Sequence, residues 1–310
     1  MFNRYKLFDL IVESEVPIEE TPCLNGDEAP DVIVKFGEIS VADAAQHPRT
    51  FYFSDGISWY CVLSESHLIF SNIYAEYEVL DGNTITIRPH VNKDNELIRT
   101  FLLGSALGVL QEQRGRIPIH GGAICINGKA AIFSGNSGAG KSTITSSLVR
   151  RGYPFLSDDV STISLKDGAP KVIPAYPQRK LRRDACIQLG YNPEKDLILI
   201  DGIRDKYAIR SDPMWQEERM PLGWIFEIAL GMPGYPMMIT PIDGVGSLGV
   251  FTRNIYRPWV SKELGFNPAK TKQIFAIAAA SKSFRIRRPV DSQSVEEITD
   301  LAINAILNGI

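Results

Sequence analysis

The sequence contains little of what marks a secreted or nucleic-acid-binding protein. Its four cysteines form no CxxC pair and have no Cys/His spacing typical of a metal site: Cys23, Cys61, Cys125 and Cys186. This pattern predicts a reduced, cytoplasmic protein with ordinary buried thiols. The formal net charge of −3 supplies no general attraction to nucleic acid or to an anionic membrane surface. We therefore expect neither a disulfide framework nor a nucleic-acid partner.

Long hydrophobic runs are also missing. The longest, at residues 101–110, has about half the length that a bilayer-spanning helix needs. Residues 1–14 lack the apolar length and the small-residue cleavage site of a secretory signal, and their alternation is typical of a strand. The sequence therefore predicts no membrane partner.

What is present is an ordinary globular composition, with 44% hydrophobic and 22% charged residues in 310. Residues 50–71 are rich in aromatic and β-branched side chains around Asp55-Gly56, and residues 75–89 read as two strands joined at Asp81-Gly82-Asn83. Three histidines here have no partners at ligand spacing and are expected on the surface or in the core: His47, His67 and His90. We predict a β-rich N-terminal accessory domain over residues 1–92.

The pattern changes at Asn95, which is a suitable N-cap for a helix reaching about Arg114. Strands are then expected over residues 122–127 and 129–135, followed by a helix over 141–151 and an apolar strand over 153–156. This alternation predicts an α/β catalytic domain with α+β tendencies and a mixed sheet, over residues 93–310.

A glycine-rich stretch between the second strand and the helix matches G-x-x-x-x-G-K-[ST] at every position. Background residue usage gives on the order of one accidental match per hundred proteins. Small residues let backbone N–H groups and a helix N-terminus face a triphosphate. Lys141 would neutralise the β- and γ-phosphates and the Ser142 hydroxyl would bind Mg²⁺. The predicted nucleotide-contacting residues are Gly135, Asn136, Ser137, Gly138, Ala139, Gly140, Lys141, Ser142 and Thr143.

Two adjacent carboxylates, Asp158 and Asp159, follow the next apolar strand. Adjacent residues at a strand end point in different directions, so one could hold Mg²⁺ while the other accepts a proton from an attacking hydroxyl. The Ser-Asp-Asp composition would also suit a helix cap or a turn. Upstream, His120 lies just before the strand pair, where an imidazole could contact a phosphate or the metal shell.

Together these residues resemble the catalytic domain of HPr kinase/phosphorylase, whose superfamily includes nucleotide-dependent phosphoenolpyruvate carboxykinases. The resemblance covers residues 103–164, with weaker similarity at 221–226 and 254–258. It implies a P-loop kinase fold in which Asp158 acts as base toward a serine hydroxyl. It further implies that Asp159 and Ser142 lie in the metal shell and that His120 lies near the phosphates.

One departure concerns the Glu-Ile-Arg-Gly-Leu-Gly signature of true HPr kinases, which is absent after the aspartates. The chain instead has the basic run Arg179-Lys180-Leu181-Arg182-Arg183. This arrangement resembles the HPr-kinase-like enzymes that phosphorylate lasso-peptide precursors on serine. Arg179, Arg183 or Lys206 could contact the γ-phosphate or an acidic acceptor peptide, although a solvated basic face would look the same in sequence.

The sequence therefore predicts an ATP- and Mg²⁺-dependent kinase acting on a serine of a peptide or protein, with a lasso-type precursor as the expected acceptor. The alternatives are an HPr serine kinase/phosphorylase, a small-molecule kinase or carboxykinase-like enzyme, and a non-catalytic nucleotide-binding regulator. The carboxylate pair argues against the regulator, because a switch needs a metal ligand but no base. The sequence does not distinguish ATP from GTP as the phosphate donor, nor a monomer from a homo-oligomer.

Overall fold

The computed structural model describes residues 2–39, 50–51, 58–201, 205–234, 236–258, 260–261, 267–289 and 295–309. His47 and the turn expected at Asp55-Gly56 lie outside these residues. The chain divides into two compact units. The first comprises Met1–Arg116 and Arg257–Asn267, and the second Ile117–Tyr256 and Pro268–Ile310.

The first unit is built on an eight-stranded sheet with the order β1-β2-β3-β8-β7-β6-β5-β4. Its strands are β1 Asn3–Leu7, β2 Leu10–Ser14, β3 Val32–Phe36, β4 Thr50–Phe51, β5 Trp59–Ser64, β6 His67–Ser71, β7 Ala75–Leu80 and β8 Thr84–Pro89. β7 and β8 form the antiparallel hairpin expected around Asp81-Gly82-Asn83. Asp81 and Gly82 both have positive φ, as a tight hairpin turn requires. The β-rich N-terminal region is thus confirmed.

A helical segment completes this unit: α1 Glu96–Phe101, a π-helical turn Leu102–Ala106 and α2 Leu107–Gln113. Its predicted N-cap is confirmed, because Asn95 Oδ1 accepts a hydrogen bond from the Leu97 amide at 2.9 Å. The segment is bonded to β7, where Tyr77 Oη donates to the Ile98 carbonyl. These contacts place the division between units after Arg116, whereas the sequence suggested a division before the helix.

The second unit contains a mixed sheet in which β10, β17 and β19 run parallel and the other pairings are antiparallel. Its strands are β9 Ile117–Ile126, β10 Lys129–Gly135, β11 Phe155–Ser157, β12 Val160–Ser164, β13 Lys171–Ile173, β17 Met220–Leu230, β18 Met238–Ile242 and β19 Lys282–Arg288. Its larger helices are α3 Lys141–Arg150, α6 Val245–Arg253, α7 Pro268–Ala280 and α8 Val295–Asn308. The expected α/β class with a mixed sheet is confirmed.

Side chains alternate between the two faces of this sheet, as a period of two requires. On one face, Phe133, Phe226 and Phe284 stack with centroid separations of 5.2 Å and pack with residues of α3 and α8. On the other, Ile132 and Ile225 pack with residues of α6 and α7. Helices on both faces bury the central strands, so the ends of those strands are rigid supports for loops.

A small three-stranded sheet in the same unit has the order β14-β16-β15. Its elements are β14 Gln178–Arg182, α4 Arg183–Gln188, α5 Pro193–Asp196, β15 Ile198–Asp201 and β16 Lys206–Arg210, followed by a 3₁₀ turn, Asp212–Met214. Leu181, Cys186 and Tyr207 belong to its separate hydrophobic cluster. Among the helices of the described residues, none is both long and apolar enough to cross a membrane.

Candidate functional site

The predicted phosphate-binding loop, residues 135–140, joins β10 to α3 at the carboxyl end of the parallel strands, where open α/β sheets bind ligands. The sequence motif therefore lies in the strand–loop–helix context that it requires. Gly135 has φ +139°, and a Cβ there would lie 2.3 Å from the Ile228 carbonyl oxygen of the neighbouring strand. Only glycine fits this close approach between the loop and β17.

Lys141, the first residue of α3, is folded back into the loop and buried. Its Nζ donates to the Gly135 carbonyl at 2.8 Å and to the Asn136 carbonyl at 3.0 Å. Burial lowers the pKa of Lys141, and the carboxylates of Asp159 and Asp158 only partly oppose this shift. The acceptors that hold the ammonium inside the loop are neutral carbonyl oxygens. Phosphate oxygens entering the loop would give the ammonium negatively charged acceptors instead.

Asp158 follows β11 and is almost fully buried, with 5% of its surface exposed. Its Oδ2 accepts a hydrogen bond from the Lys180 amide at 2.8 Å, whereas its buried Oδ1 has no hydrogen-bond partner in the described part of the chain. Burial raises the pKa of Asp158, as does the charge of Asp159; the Lys180 amide, the nearby Ser142 hydroxyl and Lys206 act in the opposite direction. The Ser142 hydroxyl therefore lies close to the Asp158 carboxylate.

This environment suits Asp158 to proton transfer. A carboxylate whose pKa is raised above the ordinary aspartate value is a stronger base than an exposed aspartate. One carboxylate oxygen is fixed by a backbone amide, and the other has no donor among the residues that the structure describes. The second oxygen is thus able to accept a proton from a substrate hydroxyl.

Asp159 adopts the left-handed conformation, with φ +67°, and its side chain is 40% exposed. His120 Nδ1 lies 3.3 Å from Asp159 Oδ1, and Tyr256 Oη lies 3.5 Å from Asp159 Oδ2. The His120 and Tyr256 rings contact each other at a centroid distance of 5.6 Å. Backbone bonds hold both in place, because the His120 amide donates to the Asn254 carbonyl and the Tyr256 amide to the Pro118 carbonyl.

Tyr256 was missed as a site residue, although it lies within the 254–258 stretch of weaker similarity. No local pattern marks it, because it reaches Asp159 only through the pairing of residues 254–256 with β9. Asn254 in turn is anchored by its Nδ2 to Glu227 Oε1 at 3.0 Å. Burial raises the pKa of Glu227. Hydrogen bonds from Arg285 and Asn254, together with the charges of Arg253 and Arg285, lower it by more, so the net pKa of Glu227 is lowered.

The donors near the loop fit the magnesium ion that the sequence predicts. The Asp159 carboxylate and the Ser142 hydroxyl are hard oxygen ligands of the kind that Mg²⁺ prefers. No group of three or more His, Cys, Asp or Glu side chains of metal-site geometry occurs in the residues that the structure describes. Mg²⁺ needs no such cage, because it commonly takes one or two carboxylates together with waters and substrate phosphates.

Arg179, on β14, is 3% exposed and its Nε donates to Ser211 Oγ at 2.8 Å. Its Nη1 is buried without a hydrogen-bond partner within the described ranges. The next residue supplies the amide that bonds Asp158 Oδ2, so Arg179 lies one residue from a direct contact with the site. A buried guanidinium group with an unused donor is suited to bind a phosphate oxygen.

Arg183 has a different environment from Arg179. It donates to Asp205 Oδ2 at 2.8 Å, pairs with Glu194, and lies over the Tyr207 ring at 5.5 Å. Its charge is therefore compensated within the small sheet. Lys206, in contrast, is close enough to lower the pKa of both Lys141 and Asp158. The structure thus brings Lys206 toward the loop and the buried aspartate and ties Arg183 to its own neighbours.

No family model matches the sequence, and no curated protein matches it either. Among solved structures, the chain is similar to one described as "Structure of the Hpr(Ser) kinase/phosphatase from Coxiella burnetii", with 14% identity and a TM-score of 0.32. The similarity covers 62% of this chain and 91% of that one. A likeness this distant carries no argument about function, so any role depends on the geometry of this chain's own residues.

Proposed function

We propose that this protein is an ATP- and Mg²⁺-dependent kinase that transfers the γ-phosphate to a serine hydroxyl of a peptide or protein. The observation that carries the proposal is the position of Asp158. A buried carboxylate with a raised pKa, one of whose oxygens has no hydrogen-bond partner among the described residues, lies beside Ser142 and Lys141 of a phosphate-binding loop. A protein that only binds nucleotide has no use for such a base.

Each residue has a distinct task in this reaction. The loop amides and Lys141 bind the phosphates and neutralise their charge, and Asp158 accepts the proton of the attacking serine hydroxyl. The serine oxygen forms a bond to the γ-phosphorus as the bond from that phosphorus to the bridging oxygen breaks, and ADP leaves. Arg179 would compensate charge on the transferring group through its Nη1, which has no hydrogen-bond partner in the described part of the chain.

Ser142 and Asp159 would hold the magnesium ion, whose charge when bound stabilises the phosphate oxygens. His120 contacts one oxygen of the Asp159 carboxylate through its ring nitrogen, and Tyr256 contacts the other through its hydroxyl. Together they fix the orientation of this carboxylate. The acceptor that we propose, a serine of a ribosomally made lasso-type precursor peptide, follows from the resemblance of the sequence. This acceptor would distinguish the protein from an HPr kinase.

The proposal is tested by incubating the purified protein with ATP, Mg²⁺ and serine-containing precursor peptides, and by locating added phosphate by mass spectrometry. Lys141→Ala should abolish transfer, because it removes the only loop side chain that neutralises the phosphates. Lys166→Ala is the matched control, since that lysine is exposed in the turn between β12 and β13. Wild-type transfer by folded Lys141→Ala protein would refute the assignment of the loop.

A further inference from the structure

Arg288, the last residue of β19, bonds the tip of the phosphate-binding loop although it lies far from it in sequence. Its Nε donates to the Ala139 carbonyl at 3.0 Å and its Nη2 to the Gly138 carbonyl at 3.3 Å. A third donor, Nη1, lies 3.4 Å from the Pro289 carbonyl. The guanidinium group therefore uses one edge to hold two consecutive peptide groups of the loop.

The consequence for the loop follows from peptide geometry. In a planar trans peptide, the C=O and the N–H point in opposite directions. Fixing the Gly138 carbonyl therefore fixes the Ala139 N–H, and fixing the Ala139 carbonyl fixes the Gly140 N–H. The Ala139 N–H accordingly points into the loop, where it closes a turn with the Asn136 carbonyl at 3.1 Å. By the same geometry, the Gly140 N–H faces away from the guanidinium group.

The loop tip needs such support because its own residues provide little rigidity. Gly138 and Gly140 have positive φ, at 80° and 102°, and glycine has the widest conformational freedom of any residue. Arginine suits the task, because its planar fork donates to two neighbouring acceptors at once. A lysine ammonium would supply the charge without this fork.

We propose that Arg288 is a positioning residue for the nucleotide: it holds the loop amides in the arrangement that binds phosphate before the nucleotide arrives. This inference rests on the proposed function. Since the loop amides contact the α- and β-phosphates, the loss of Arg288 should affect ATP and ADP equally. An arginine that contacted the γ-phosphate itself would affect ATP alone.

The test measures the Kd of ATP and of ADP by titration calorimetry for the wild type, Arg288→Ala, Arg288→Lys and Arg287→Ala. Arg287 is the matched control, because it is the neighbouring arginine on the same strand and is exposed. We expect Arg288→Ala to raise both Kd values by about tenfold. The variant loses two charge-assisted hydrogen bonds to the loop, but the loop backbone can still adopt the binding arrangement without them at some cost. Arg288→Lys should give a smaller, again equal, increase.

The outcomes separate the inference from the function on which it rests. If the wild type and Arg287→Ala bind neither nucleotide, both the inference and the proposed function are wrong. If they bind and Arg288→Ala binds equally well, or loses ATP affinity alone, only the positioning role is overturned. Thermal unfolding without nucleotide shows whether each variant is folded. If Arg288→Ala is not folded, the Kd values of Arg288→Lys are compared with those of the wild type instead.

Discussion

Replacing Asp158 by asparagine should make the protein less active and more stable at the same time. Asp158 carries a charge that burial disfavours, and its Oδ1 finds no hydrogen-bond donor among the described residues. Asparagine keeps the shape and the acceptor for the Lys180 amide, but it removes the buried charge. The asparagine amide would also lack a partner at the Oδ1 position, so the difference is that between an uncompensated buried charge and a buried neutral group, about 1 kcal/mol or more. The variant should therefore gain about 1 kcal/mol, which corresponds to roughly 2–4 °C in Tm for a unit of this size.

The sign of this effect depends on pH. The folded-state pKa of Asp158 is raised, so the wild type loses stability as pH rises from the ordinary aspartate pKa, about 3.9, through the raised value. The advantage of Asp158→Asn should be fully present above that raised pKa. It should vanish below about pH 4, where Asp158 is protonated in the folded and unfolded states alike.

The activity of the same variant should change in the opposite direction. Asparagine cannot accept the proton of the serine hydroxyl, so transfer should fall by about 10²–10⁴-fold while the Kd of ATP stays within several-fold. Single-turnover transfer and calorimetric binding measure the two quantities separately. Equal losses in transfer and in affinity would mean that Asp158 serves the metal, and the role of base would pass to Asp159.

Asp159→Asn is the matched control for stability. The Asp159 side chain is 40% exposed, and asparagine tolerates its positive φ well, so the Tm should change little. Thermal unfolding monitored by circular dichroism between pH 4 and pH 8 gives the comparison. A fall in Tm for Asp158→Asn near pH 7 would refute the reasoning, because it would show that the surrounding cations stabilise the charge by more than burial costs.

Two further predictions concern pH and the loop glycines. Burial raises the pKa of Asp158 and lowers that of Lys141. On the acidic side, kcat/KM should therefore fall at a pH above the ordinary aspartate pKa, and on the alkaline side it should fall at a pH below the ordinary lysine pKa. A profile whose acidic and alkaline limbs lie at the ordinary aspartate and lysine values would contradict this. Gly135→Ala should lower the free energy of unfolding by about 2 kcal/mol or more, because its Cβ would meet the Ile228 carbonyl. Gly138 also has positive φ but has open space around it, so Gly138→Ala should lower the free energy of unfolding by only about 1 kcal/mol. Chemical denaturation measures both values. Equal losses would remove the steric argument.

The sequence was informative where structure is local. Asn95 and the residues after it predict a capped helix by themselves, and that helix is present. The motif from Gly135 to Ser142 defines its own strand–loop–helix geometry, because the demands on each position come from neighbours in the chain. The α/β class likewise follows from alternating strand and helix patterns.

The rest of the site depends on pairings between distant segments. Arg288 reaches the loop because β10 and β19 both run parallel to β17, and Tyr256 reaches Asp159 because residues 254–256 pair with β9. Neither pairing leaves a local pattern. The basic run at residues 179–183 also looks uniform in sequence, yet Arg179 is buried and Arg183 is bound by carboxylates. Burial of that kind is decided by the tertiary fold.

The fate of the γ-phosphate tests the central claim most directly. The protein is incubated with Mg²⁺, a serine-containing acceptor peptide and ATP labelled either at the α- or at the γ-phosphate. The account predicts that the γ-label appears as phosphoserine in the peptide and that the α-label remains in ADP. Binding of ATP without any transfer, or release of the γ-label only as inorganic phosphate, would contradict it.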